Sequence, residues 1–499
     1  MNGARSFQAI LVLVIGTVIA LWLGVSIVTQ QTATLIKGAG VLVLIVSALL
    51  GRRIWLLMVF LSAMNVVLIR GVGTSELGQL LFLAFSTILF LMRKLRMQFQ
   101  FKELELWALL IIACIVQTYL RNPVGLNLMG SGNVGARPYL MLAIAISSAA
   151  VLSVMIVEVK ELKWAMWLSI IGGFLGIPGT VLRYGTLAGD QEDLSRIPVF
   201  STLATLLSRI LVTWKSPLKA LMHPGWGSVL LLSVVAAGAS GYRNSVAMIG
   251  LMYIFGICYR GGVMAVFSSI LAGALGLVLL ALINLNFPLP GNIQRALSPF
   301  PGTWEQKYKR QANLSTEWRM DMWKEALTSD RWIHNKFVGD GLGMSAEQLR
   351  ENQRVDATMV GAGTSNTGLL AQQENMLING SYHSGPVHTI RTVGYLGLVI
   401  LLAAMIRLAV HAHRQILRCK GTEWFPLAMF FNVPILVHPL FFVFVFGEFP
   451  VGVATTMMGI AWVRLLEKNL PIPAWRPATR QPYMFANPNR QPVGQPARA

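Results

Sequence analysis

The sequence predicts an all-α polytopic membrane protein of about twelve to fourteen transmembrane helices, with one large extracytoplasmic loop. Three observations carry this. Of 499 residues, 55% are hydrophobic and 12% are charged, with a mean hydropathy of +0.60, outside the range of soluble globular chains. The apolar residues gather into runs of roughly 16 to 23, long enough to cross a hydrocarbon core at ~1.5 Å per helical residue. The basic residues sit mostly in the short segments between runs.

The first five helices are expected over Gln8 to Val28, Lys37 to Leu50, Ile54 to Ile69, Leu77 to Met92 and Leu104 to Leu120. Further runs cover Pro138 to Val157, Trp164 to Val181, Phe200 to Trp214, Gly227 to Gly241, Ser245 to Cys258 and Val263 to Ile283. Three more follow the loop: Val393 to Val410, Phe425 to Phe446 and Val451 to Val463. The Phe200 run contains Arg209 and several hydroxyls, so it reads either as a span or as an amphipathic helix lying in the interface. MNGARSFQ and the run behind it have the charge pattern of a signal peptide without a clear small-residue cleavage site, and the run is read as a retained span.

Orientation follows from charge, because Lys and Arg collect in cytoplasmic loops. With the N-terminus inside, Arg52 and Arg53, then Arg93, Lys94, Arg96 and Lys102, then Lys160 and Lys163 all fall inside. If Phe200 to Trp214 spans, Lys215, Lys219, Arg260, Arg407, Arg414, Arg418 and Lys420 join them. The formal charge of +20 is therefore an orientation signal, and nucleic acid is not expected as a partner.

The chain divides into membrane helices over 1–287, a large polar loop over 288–391, membrane helices over 392–466 and a Pro-, Gln-, Asn- and Arg-rich tail over 467–499. The tail has too few apolar residues to bury a core and is expected to be disordered on the cytoplasmic side. Within the loop, Ser315 to Ser329 predicts a helix, with Trp318, Met322 and Ala326 at four-residue spacing. Gly339-Asp-Gly-Leu-Gly343 predicts a turn. None of the three cysteines, Cys114, Cys258 and Cys419, lies in this loop, so no disulfide framework is expected.

Two positions stand out chemically. Arg243 lies between two apolar runs, at the expected outer boundary. It reads either as a snorkelling anchor or as an anion site beside a helix N-terminus, suited to a phosphate or diphosphate. His383, on the same side, reads either as a polar loop residue or as a general base, since imidazole titrates near neutrality. His383 and His388 lack an accompanying carboxylate at ligand spacing, so no metal is expected.

The order and spacing of these residues resemble the O-antigen ligase and Wzy-type polymerase superfamily. Its C-terminal signature is His, then Asn, Ser or Gln, nine residues, Gly, two residues, and Gly, Thr or Tyr, matched here by His383, Ser384, Gly394 and Gly397. A Ser-Arg-type element is matched by Ser240-Gly-Tyr-Arg243, with two additional residues between Ser and Arg. An Arg-x3-Trp-x2-Ala helix and a Gly-x-Gly turn are matched by Arg319, Trp323 and Ala326, then Gly339, Gly341 and Gly343. The resemblance covers roughly Gly227 to Val410.

The resemblance implies a GT-C-like architecture in a bacterial inner membrane, with the active site facing the periplasm. It implies an inverting glycosyltransferase that needs no metal or other cofactor. The donor would be a glycan on undecaprenyl diphosphate and the acceptor a hydroxyl on a glycan or lipid. A diphosphate leaving group calls for cations: Arg243 first, then Arg319, Arg391 and Arg137, each of which also reads as an ordinary loop or anchor residue. His383 would be the base, and Gly394 and Gly397 would let the entering helix pack closely. Tyr382 and Trp323 read as sugar platforms, Trp323 also as core. A polymerase with the same chemistry and a transporter of lipid-linked sugars are the alternatives. A transporter calls for charged or broken helices near the midplane, whereas the candidate residues gather at one face.

Overall fold

The computed structural model describes residues 46–69, 72–124, 135–183, 197–344, 348–351, 353–355 and 374–471. The expected span over Gln8 to Val28, most of Lys37 to Leu50 and nearly all of the tail lie outside them. The helices, in order, are α1 (Val46–Met64), α2 (Thr74–Leu91), α3 (Glu103–Arg121), α4 (Arg137–Val154), α5 (Val159–Arg183), α6 (Pro198–Trp214) and α7 (Pro217–Leu221). They continue as α8 (Pro224–Ala239), α9 (Arg243–Asn286), α10 (Gly291–Leu297), α11 (Gln306–Thr328), α12 (Gly385–Cys419), α13 (Phe425–Phe444) and α14 (Phe449–Asn469). Among the described residues nine helices are long and apolar enough to cross a membrane, and α6 and α8 are shorter apolar helices beside them. The protein is a helical, multi-pass membrane protein.

Local chemistry sets the boundaries. Proline occupies the first turn of α4, α6, α8, α12, α13 and α14, where its missing N–H is no loss and its φ is already helical. The expected helix over Ile54 to Ile69 stops at Met64, because Asn65 takes a left-handed conformation (φ 44°) that a short polar side chain tolerates. A small antiparallel hairpin, β1 (Val67–Ile69) with β2 (Val72–Gly73), follows. Within α1, Gly51 (φ 51°) and a single 3-10 turn over Gly51–Arg53 separate 46–50 from Ile54–Met64, at the break expected between the second and third runs.

Helix α9, at 44 residues, measures about 66 Å at 1.5 Å per residue, twice a hydrocarbon core of ~30 Å. It is two spans. Gly262 (φ 77°) breaks it, between the expected runs ending at Cys258 and starting at Val263.

The bundle has two distinct ends. At one, ion pairs join residues from distant elements: Arg53 to Glu161 (2.8 Å), Arg407 to Glu103 (2.8 Å), Arg464 to both oxygens of Glu105 (2.7 Å each) and Lys163 to Glu423 (3.2 Å). Arg52, Arg53, Lys163 and Arg407 are among the residues that the charge rule assigns to the cytoplasm, and we refer to this as the basic end. At the other, the C-terminal residues of α3 hold the polar loop: Gln117 donates to the carbonyl of Val338 (3.0 Å), Arg121 to that of Gly339 (2.5 Å) and Asn122 to that of Asp340 (3.0 Å).

Helix α6 runs between the two ends. The amide of Ile197, just before it, donates to the carbonyl of Ser240 (2.9 Å) at the loop end, while Arg260 donates to the carbonyls of Val212 (3.1 Å) and Thr213 near its basic end. Of the two readings of this run, attachment at both ends supports the span. Arg209 lies inside the protein with its guanidinium 3.8 Å from the Phe430 ring centroid and its Nε donating to the carbonyl of Phe430 (3.0 Å), so the α6 charge faces α13 rather than lipid.

The centre of the bundle is α13 and α14, the most enclosed of the candidate spans, with 61% and 67% of their apolar windows buried. Trp462 of α14 stacks on Phe431 (4.0 Å) and meets Trp55 edge-on (6.4 Å).

Candidate functional site

At the loop end, α11 replaces the expected Ser315 to Ser329 helix, starting earlier because residues 306–314 contain good helix formers and no Gly or Pro. Met322 and Ala326 are fully buried together with Ile333, Leu377, Tyr382, Val387 and Ile390, with Trp318 and Trp323 packed against them. The four-residue spacing therefore marks the inward face, as expected.

A second stripe on α11 joins the candidate residues. Thr316, Arg319 and Trp323 are three and four residues apart, hence on one face. Arg243 donates from Nη1 to the hydroxyl of Thr316 (3.0 Å). Trp323 donates its indole N–H to the carbonyl of Tyr382 (2.7 Å). Seven residues at 1.5 Å place these two attachments about 10 Å apart along the axis. Arg319 lies between them. The structure thus brings Arg243, Arg319, Trp323 and His383 to one helix.

Arg243 opens α9 after a tight turn. Gly241 has φ 69°, and the fully buried Ser240 accepts the amide of Tyr242 (3.2 Å) while donating to the carbonyl of Ala237 (2.6 Å). Ser240 therefore shapes the turn that presents Arg243.

His383 has φ 51°, a left-handed conformation in a non-glycine residue, of the kind that persists where surrounding structure enforces it. On one side Tyr382 is pinned by Trp323. On the other, the His383 ring stacks on Phe446 (5.4 Å, 29° between planes). Phe446 belongs to the turn between α13 and α14, and that turn touches the start of α12: a Cβ on Gly447 would come within 2.9 Å of the Gly385 Cα. The next residue, Glu448, caps α14 by position. Burial pushes its carboxyl above the usual range, and its side chain makes no hydrogen bond or ion pair among the described residues. Neither Phe446 nor Glu448 belongs to a recognisable motif in the sequence. The only available signal was a lone carboxylate, Gly447-Glu448-Phe449-Pro450, in an outer turn between two spans.

The close approach expected of the signature glycines is made by Gly394, to the backbone of Phe337 and Val338 and at a break in its helix. Helix α12 begins at Gly385, ahead of the expected Val393, and breaks at Gly394 (φ 74°). A break leaves backbone groups without helical partners, and here the Gly-rich turn supplies them. The carbonyls of Arg391 and Thr392 accept the amides of Asp340 (2.6 Å) and Gly341 (2.9 Å). The amides of Tyr395 and Leu396 donate to the carbonyls of Lys336 (2.8 Å) and Phe337 (3.2 Å). A Cβ at Gly394 would lie 2.1 Å from the Phe337 oxygen, and one at Gly339 (φ 81°) would lie 2.4 Å from the Thr392 oxygen. Gly341 and Gly343 also have positive φ, 96° and 85°. Only glycine fits such backbone geometry without strain. Asp340 accepts the amides of His334 (2.8 Å) and Asn335 (2.9 Å), tightening the same turn. Gly397 sits against the Val393 side chain, where a Cβ would fall within 2.3 Å.

The remaining candidates are placed less directly. Arg391, expected in the loop, lies in the short first limb of α12, buried, donating to the carbonyls of Asn379 (2.8 Å) and Ile378 (3.0 Å). It ties off the 374–379 helix rather than facing solvent. Arg137, buried at the start of α4, is two residues from Tyr139, whose hydroxyl accepts the amide of Leu342 (2.7 Å), so it belongs to the same end of the bundle. Ser384 is the buried residue before α12. Tyr382 is fully buried and is not a sugar platform; burial pushes its phenol up. His388 takes the amide of Phe449 on Nδ1 (3.2 Å), joining α12 to α14. No group of three metal-ligating residues gathers among the described residues. The chain matches no protein-family model and no curated protein.

Proposed function

We propose that the protein is a membrane glycosyltransferase of GT-C-like architecture that moves a glycan from undecaprenyl diphosphate to an acceptor hydroxyl, in the manner of an O-antigen ligase. The observation that carries this reading is the attachment of Arg243 and His383, through Thr316 and Tyr382, to one face of α11. On this proposal a cation at a helix N-terminus and an imidazole on a left-handed backbone serve one reacting region.

In this reading Arg243, with Arg319 beside it, holds the diphosphate and stabilises the charge that grows on it as it leaves. His383 accepts the proton of the acceptor hydroxyl. The acceptor oxygen forms its bond to the anomeric carbon as the carbon–oxygen bond to the diphosphate breaks, with inversion. The electron pair leaves with the lipid diphosphate, and the proton resides on the imidazole. Arg391, Trp323 and the Gly339–Gly343 turn position His383 without touching the substrate. The site opens on the periplasmic side if the basic end is cytoplasmic, as the charge rule requires.

Purified protein in detergent, given undecaprenyl-diphosphate glycan and either a lipid A core or a second lipid-linked glycan as acceptor, tests this reading. Transfer that persists in EDTA is expected, and the acceptor that works separates ligase from polymerase. No transfer to either acceptor, with binding and net movement of the donor across a vesicle membrane instead, would favour a transporter.

A further inference from the structure

At the basic end, opposite the site described above, a cavity of about 560 Å³ opens between α3, α4 and α14, within the ~300–1,000 Å³ of typical ligand sites. Ala108 and Ile112 of α3, Ile146 and Ala150 of α4, and Met457 of α14 wall it, with Phe101 at its mouth. It runs roughly 10 Å along the helices, judged from the rise between Glu105 and Ile112, and so reaches into one leaflet only. Leu109 on its rim is 51% exposed, so the slot faces lipid. Its few polar groups, Gln100, Glu105 and Ser153, lie at the basic end, and the Glu105 charge is neutralised by the two-pronged contact from Arg464.

The mouth has the opposite character. The segment joining α2 to α3 carries Arg93, Lys94, Arg96 and Lys102 with no acidic residue, and none of the four forms an ion pair among the described residues. Phe99 and Phe101, 73% and 68% exposed, stand between them. Lys468 of α14 reaches the same rim, donating to the carbonyls of Gln98 (2.5 Å) and Ser153 (2.9 Å). An apolar slot one leaflet deep, beneath a basic and aromatic rim, matches an acyl chain below an anionic head group.

We propose that this slot binds an anionic phospholipid of the basic-end leaflet, with an acyl chain between α3 and α4 and its phosphate against the Arg93–Lys102 segment. The proposal is independent of the glycosyltransferase reading. It is tested by purifying the full-length protein from mixed phosphatidylglycerol and phosphatidylcholine micelles and counting retained lipids by native mass spectrometry. The expected result is preferential retention of phosphatidylglycerol, lost on filling the slot with Ala150→Phe. In the Arg93→Gln/Lys94→Gln/Arg96→Gln variant the preference should fall by roughly fivefold per charge removed. Equal retention of the two lipids, or undiminished retention by Ala150→Phe in folded protein, would overturn it. So would a Leu109→Cys variant that retains no lipid yet resists a membrane-soluble maleimide, since the chain's own residues 1–45 would then be the cover.

Discussion

The indole N–H of Trp323 and the carbonyl of Tyr382 are 2.7 Å apart, and this bond joins the middle of α11 to the residue before His383. The carbonyl belongs to a fully buried residue, so it has no ready replacement partner. Trp323→Phe keeps most of the packing and removes the donor. The expected outcome is a loss of about 1–3 kcal/mol, seen in thermal unfolding, together with a fall in transfer rate larger than the stability loss explains at the assay temperature.

Gly394 and Gly397 differ in what surrounds them. Gly394→Ala forces a side chain into a left-handed conformation, costing about 1–2 kcal/mol, and drives its Cβ onto the Phe337 carbonyl, which the Leu396 amide holds in place. Gly397→Ala keeps a helical backbone but presses on the buried Val393 side chain, with Cγ2 at 2.3 Å and Cβ at 2.5 Å. Folded yield and melting temperature should drop for both, and further for Gly394→Ala, which adds backbone strain to the clash.

Arg391→Lys separates positioning from substrate binding. Lysine cannot reproduce the paired contact with the Ile378 and Asn379 carbonyls, so stability should fall by about 1.5–3 kcal/mol. Because the guanidinium is buried in that contact, the expected kinetic change is a lower kcat with donor KM unchanged. A raised donor KM with normal stability would instead identify Arg391 as a diphosphate ligand.

Glu448 gives a pH dependence. Its carboxyl is raised by burial, so the folded state holds the proton more tightly than the unfolded state does. The associated stability is fully present below the ordinary carboxylate pKa of ~4.3 and is lost as pH rises through the raised folded value. Glu448→Gln removes the charge and should melt higher than wild type at neutral pH, with the difference closing towards pH ~4. Parallel melting curves of the two proteins across that range check it.

The spans were legible because hydropathy and length report directly on lipid, and even the break in α9 was marked by Arg260-Gly-Gly between two apolar runs. The path of α6 was not, because the partner of Arg209 is the backbone and ring of Phe430, 221 residues away. The break at Gly394 was equally hidden. Its freed amides and carbonyls are satisfied by Lys336 to Gly341, a pairing that exists only once the loop folds back on α12. Order and spacing singled out Arg243, Arg319, Trp323 and His383, while Glu448 had no pattern to mark it.

In the proposed reaction Arg243 acts on the donor diphosphate and His383 on the acceptor hydroxyl, in one transfer step. The most direct test is the transfer rate of wild type, Arg243→Ala, His383→Ala and the double variant, each first shown to be folded. Residues working as one unit lose activity non-additively: each single variant should be severely impaired, and the double variant no worse than the poorer single. Single variants with wild-type rates, or two losses that simply multiply in the double variant, would contradict the account.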